Sequence, residues 1–97
     1  MNRHNENRLK ITEETVKTIL VDKCGWEIDD KFPEQLFYNS PCKRYVLHET
    51  KWNNLCDPIT GKGWNLHIDN SDMQSLASCD VEYMDQISMI MTLYGGY

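Results

Sequence analysis

Cysteine, histidine and aspartate are the residues of this chain able to do covalent or metal chemistry, and their spacing decides whether they do. The cysteines are Cys24, Cys42, Cys56 and Cys79, and the histidines within the body of the chain are His48 and His67. Cys42, Cys56, His48 and His67 would supply the four ligands of a tetrahedral zinc site if the strands that carry them paired. Such sites usually draw two ligands from one tight turn, and no two of these residues stand at that spacing. The same residues offer Cys42 or Cys56 as a nucleophile, with His48 or His67 as its base. Asp69 stands two residues from His67 on the same strand face, but no surrounding motif builds an oxyanion hole. The reading is therefore no catalytic residue, no metal and no other cofactor, with buried thiols and solvent-facing imidazoles.

Two further patterns fail on spacing. A calcium loop starting at Asp69 would place Met73 at its fifth position, Gln74 at its sixth and Asp80 at its twelfth. An EF-hand needs oxygen ligands at the first and last of these and Gly at the middle one. Asp69-Asn70-Ser71-Asp72 is better read as a turn whose side chains bond their own backbone. Gly61-Lys62-Gly63 lacks the spacing of a phosphate loop and leads into a strand, not a helix. The aromatics at turns and ends, Trp26, Tyr38, Trp52 and Tyr97, are the remaining candidates, because Trp and Tyr dominate binding hot spots. Trp52, His48, His67, Trp26 and Tyr97 are the expected partner-binding residues.

Composition narrows the function classes. The 97 residues suit one domain with a small core, and 40% hydrophobic with 26% charged residues is ordinary for a soluble globular chain. Such a domain buries only about two-thirds of the surface its unfolded chain exposes. The net charge is −5, and no Lys or Arg follows Lys62. Nucleic-acid binding needs a basic patch, so it is not expected. An acidic surface suits a basic protein partner. The first residues lack an apolar signal-peptide core, and no apolar run approaches membrane-spanning length. The expectation is a cytoplasmic protein with reduced thiols and no membrane contact.

The elements that would position these residues follow from periodicity. Residues 1–10 have almost no apolar content and are expected to be a flexible segment, leaving 11–97 as a single domain. Ile11 to Leu20 predicts a helix, with Thr12 as N-cap, Glu13 and Glu14 in its first turn, and Ile11 and Val16 as a hydrophobic staple. Gly25 is placed to end it. Cys24 to Ile28 predicts a turn into a short extended piece, and Gln35 to Tyr38 fits either a strand or one helical turn. Lys43 to Thr50 predicts a strand from its aromatic and β-branched content. Lys51 to Lys62 is a connection rich in turn residues. Gly63 to Asp69 alternates as a strand, with Trp64, Leu66 and Ile68 on one face and Asn65, His67 and Asp69 on the other. Asn70 to Ser78 is expected to be a polar connection, and Asp80 the N-cap of a last helix. On that helix Tyr83, Met84, Ile87, Ile90, Met91 and Tyr94 make the apolar face. Val81, Met89 and Leu93 widen it, an open edge where a second copy could form a homodimer.

The stretch Trp64 to Met73, followed by Glu82 to Ile87, resembles small uncharacterised proteins encoded by bacteriophages and mobile elements of gut bacteria. Their pattern is a strand ending W-x-x-H-I-D-N-x-D-M and a last helix containing E-Y-V-H-Q-L-Q-N. The strand part matches closely. The helix keeps Glu82, Tyr83 and Gln86, with Asp85 in place of His and Ile87-Ser88-Met89 in place of L-Q-N. A helix leading to a Gly-Trp pair, here Gly25-Trp26, is also similar. The resemblance covers the last third of the chain well and the rest in outline. It implies a phage or mobile-element origin and an α-β-β-β-α order, and no known activity. Small phage proteins of this size include inhibitors of host defence systems that bind a protein or sequester a signal.

Together these readings predict an α+β fold: an N-terminal helix, about three antiparallel strands in a meander, and a C-terminal helix on one sheet face. The expected function is non-catalytic binding of a host protein, with inhibition of a bacterial defence system, in the manner of anti-CRISPR proteins, as its concrete form. The alternative is a small-ligand or nucleotide sequestering protein, which would need a pocket lined by Trp26, Trp52 or His48.

Overall fold

In the computed structural model, residues 8–31, 34–51, 56 and 58–95 are described. The fold is α+β, as expected, but the sheet has five strands: β1 (Glu27–Asp29), β2 (Phe37–Asn39), β3 (Tyr45–Thr50), β4 (Gly63–Asp69) and β5 (Ser75–Val81). They run antiparallel in the order β1-β2-β3-β4-β5, a simple meander.

The N-terminal helix starts where its cap chemistry places it. Thr12 is extended, its hydroxyl accepts from the Thr15 amide, and the Thr15 hydroxyl oxygen accepts from the Thr12 amide. Two of the helix's orphan donors are thereby satisfied. Ile11 and Val16, the staple pair, are both buried. The first turn, α1 (Glu13–Thr15), continues as a π-helix over Val16–Val21. The Asp22 and Cys24 amides donate to Lys17 O and Ile19 O, each five residues back. Gly25 then adopts φ +78°, a left-handed turn that costs glycine no Cβ clash, and the Trp26 amide closes onto Leu20 O.

The C-terminal half departs from expectation. Ser75 to Val81 is a strand, not a connection, and α2 (Met84–Leu93) begins four residues after Asp80. Tyr83 is the N-cap, and the Gln86 side-chain oxygen accepts from the Glu82 and Tyr83 amides. Asp80 instead sits in β5 and accepts from Asn65 Nδ2 across the sheet. Val81, expected on the helix edge, is a buried strand residue. Between β4 and β5, Asn70 Oδ1 accepts from the Asp72 and Gln74 amides, and Met73 takes φ 63°. That is the self-bonded turn read from the sequence.

Of residues 1–10, expected to be loose, 1–7 lie outside the described residues. Leu9 and Ile11 exchange backbone hydrogen bonds with Met84 and Glu82. Arg8 grips Asp85 with two nitrogens, at 2.8 and 2.9 Å, and lies over the Tyr83 ring.

Register divides the sheet into two unlike faces. Tyr38, Leu47 and Leu66 fall in one row across β2–β4, and Tyr45 and Ile68 in the next. These residues are buried, together with Trp64 and Val81, under Val16 and Leu20 of the first helix and Ile87 and Met91 of α2. Trp64, Leu66 and Ile68 thus point to the helices, as their alternation predicted. Tyr45 fixes α2 from beneath, its hydroxyl donating to Met91 O and Tyr94 O at 3.3 and 3.4 Å. Arg44 reaches the same helix end from outside, donating to Tyr94 O and to Asp69 O. On the outer side of α2, Met89 and Leu93 remain 59% and 76% exposed.

Candidate functional site

The opposite face of the sheet carries the histidines. By register, one row runs Asp29, Phe37, His48, Asn65, Asp80, and the next Glu27, Asn39, Val46, His67, Ser78. None of these ten residues is buried, and both helices pack on the other side. His67, assigned to the outward face from alternation, and His48, expected on the same face, are therefore diagonal neighbours on adjacent strands.

Each imidazole is held. His67 Nε2 lies 2.9 Å from Asp69 Oδ1, with the two side chains 35% and 15% exposed. His48 packs against the Phe37 ring at 5.4 Å. Its Nδ1 is 3.1 Å from both Gln35 Nε2 and Glu49 O, so one tautomer accepts from the amide and the other donates to the carbonyl. Gln35 also donates to Glu49 O. Beside them Asn65 donates to Asp80 and accepts from the Ser78 hydroxyl at 2.8 Å. Ser78 stands opposite His67 in the ladder, and a Ser, His and Asp so gathered invite comparison with a hydrolase triad. The chemistry differs, because the Ser78 proton goes to Asn65 and not to an imidazole, so no base activates the hydroxyl. Fixed side chains at the middle of a sheet face form a rigid polar platform suited to recognition.

The electrostatics of that platform are one-sided. Its outward strand positions bear Glu27, Asp29, Asp69 and Asp80, and no Lys or Arg. Lys43, in the β2–β3 turn, reaches Glu27 at 2.8 Å from the rim.

The other sequence candidates are dispersed. Trp26 is 3% exposed and belongs to the core, so its ring is not part of an outer surface, and Tyr38 is buried as well. A small domain spends aromatics at strand ends on burial before it can display them. Trp52 and Tyr97 lie outside the described residues. The thiols are not packed inside as expected: Cys24 and Cys42 are exposed, and Cys56 and Cys79 half-buried. Cys56 contacts backbone carbonyls of Thr50 and Lys51, and Cys42 contacts the Ser40 hydroxyl, neither an imidazole. Among the described residues no three His, Cys, Asp or Glu side chains converge as metal ligands.

Concavities lie elsewhere on the molecule. A cavity of about 630 Å³ opens between the N-terminal helix and α2, walled by Ile19, Leu20, Trp26, Met84, Ile87 and Met91, with Cys24 and Cys42 on its rim. A polar one of about 440 Å³ lies at the end of the sheet, between Glu13, Glu34, Tyr38, Glu49, Lys62 and Trp64. Sequence reasoning missed Phe37, Ser78 and Asp80 as members of the polar platform. The alternation of Ala77, Cys79 and Val81 against Ser78 and Asp80 was the available signal for the last two. Among the described residues no helix is long and apolar enough to cross a membrane. Comparison with known proteins finds no matching family model, no similar curated protein and no similar solved structure.

Proposed function

We propose that this is a non-catalytic interaction protein that binds a basic surface of a host protein through the uncovered face of its sheet. One observation carries the reading: a rigid face bearing four outward carboxylates and two anchored imidazoles, with no Lys or Arg among its strand positions. Such a field steers a cationic protein surface into register and repels nucleic-acid phosphates. His48, His67, Phe37 and Asn65 form the centre, where desolvated side chains discriminate most. The resemblance of the β4 segment to phage and mobile-element proteins supplies the context, a bacterial host, with inhibition of a defence system as the concrete form.

The test is a pull-down from host lysate, with mass spectrometry, at low and raised salt. The wild-type chain is expected to retain a protein that salt releases. The double variant Asp29→Lys/Asp80→Lys should lose it, while Leu93→Asp, on the exposed side of α2, should keep it. Retention by the charge-reversed variant overturns the reading. The apolar cavity beside Trp26 favours a second reading, a small-ligand binder. A thermal shift on adding nucleotides or apolar metabolites, with no captured protein, would move the function there.

A further inference from the structure

We infer that Cys24 and Cys42 form a thiol-modification site, a dithiol that reacts with a low-molecular-weight disulfide and closes into an intramolecular cross-link. Three observations of geometry converge on it. Both thiols are exposed, and both line the cavity between the helices. The β1–β2 register pairs Glu27 with Asn39, Ile28 with Tyr38 and Asp29 with Phe37. Beyond Glu27 and Asn39 both chains leave the ladder, one at the left-handed Gly25 and the other in the Ser40–Lys43 turn. They stay in contact there, since a Cβ built on Gly25 would lie 3.8 Å from Pro41 Cγ. Cys24 and Cys42 are the chain neighbours of that contact, so local movement of the two turns brings the thiols to bonding distance. Cys56 and Cys79 lie away from this cavity.

The surroundings of Cys42 order the reaction. Burial pushes the Cys42 thiol up, but the Ser40 hydroxyl at 3.4 Å, the Arg44 amide and the Arg44 charge together bring it below the ordinary cysteine value. The attacking species in exchange is the thiolate. Cys42 Sγ⁻ attacks one sulfur of oxidised glutathione, forming a mixed disulfide and expelling glutathione thiolate. Cys24, losing its proton to solvent, attacks the Cys42 sulfur and expels a second glutathione thiolate. Two protein thiols become one disulfide, and one oxidised glutathione becomes two reduced. The cross-link ties the end of the N-terminal helix to the β2–β3 turn across the cavity mouth.

The experiment incubates the folded, reduced chain with oxidised glutathione, traps free thiols with iodoacetamide, and maps peptides by mass spectrometry. The wild-type protein should yield a Cys24–Cys42 cross-linked peptide, with Cys56 and Cys79 still alkylated. Cys24→Ser should stop at a glutathione adduct on Cys42. Cys42→Ser should consume oxidised glutathione measurably more slowly, as expected when the attacking thiol is removed. A cross-link joining another pair, covalent dimers alone, or all four thiols alkylated as in the untreated protein would overturn the proposal. The wild-type map reads out without any variant having to fold, and it is independent of partner binding through the sheet.

Discussion

The two faces of the sheet are built from the same strands, yet one is an interior and the other a platform. Toward the helices, Tyr38, Tyr45, Leu47, Leu66 and Ile68 are buried in contact with one another. On the other side, the same strands present mostly side chains with polar ends, such as His48, Asn65, His67 or Ser78, with Phe37 and Val46 among them, all in half-buried or exposed positions. A strand alternates its side chains, so one backbone serves both purposes at no added cost. The contrast teaches where stability and recognition reside: the inner face supplies the burial energy, and the outer face is free to vary its chemistry.

Truncation should break that symmetry most clearly. Leu66→Ala, in the fully buried row, should cost about 2–5 kcal/mol by urea denaturation, from lost transfer energy and the cavity left behind. Val46→Ala, on the outer face one strand away, should cost well under half as much, because a half-exposed side chain leaves no closed cavity. Equal losses would show that something covers the outer face. Next in size is Ser40→Ala. Ser40 is the one buried polar residue among those described, and its Oγ accepts from the Tyr45 amide at 3.1 Å. Removing that hydroxyl should cost about 0.5–1.5 kcal/mol, the net worth of a buried hydrogen bond. Tyr45→Phe keeps the ring and deletes only the hydroxyl's bonds to α2, so about 0.5–1.5 kcal/mol is expected.

Substitutions on the platform should scarcely register in stability. His67→Ala is expected to shift the unfolding free energy by only about 0.5 kcal/mol, while weakening the captured partner in the pull-down. A large stability loss would instead make His67 a structural residue. The smallest effect is a pH dependence at the N-terminal strap. The Arg8 hydrogen bonds, then its charge, hold the Asp85 carboxyl below the usual carboxylate range. A folded-state pKa below the unfolded one gives stability that is present above the ordinary carboxylate range. That stability is lost as the pH falls through the folded-state value. The pair is at the surface, so the contribution is small and salt-sensitive. Comparing wild type with Asp85→Asn, the difference in urea midpoint should be present at neutral pH and vanish in acid.

The legible parts of the molecule are those specified over a few residues. The Thr12 cap, the Ile11–Val16 staple and the Gly25 stop were each visible because caps and turns are local chemistry. So was the Asn70 turn, and so was the alternation of Trp64 to Asp69 that put His67 outside. The β5 strand was not legible in the same way. Ser75-Leu76-Ala77-Ser78-Cys79-Asp80-Val81 has weak strand propensity and becomes a strand by pairing with β4, a partner that propensity does not include. Missing β5 shifted the predicted helix start to Asp80 and removed Ser78 and Asp80 from the candidate surface. Trp26 was misplaced for a related reason: a tryptophan after a turn reads as exposed until the helix that covers it is in position.

By itself, the sequence determined the class of fold, the order of helix, strands and helix, the inward face of β4 and the acidic balance of the chain. Each of these depends on period, composition or neighbours a few residues apart. Tertiary structure alone decided that five strands share the sheet and that both helices take one side of it. It alone brought His48, His67, Asn65 and Asp80 onto one open face, and Cys24 and Cys42 to one rim. Those outcomes depend on register and packing between residues distant in the chain, which local periodicity does not encode.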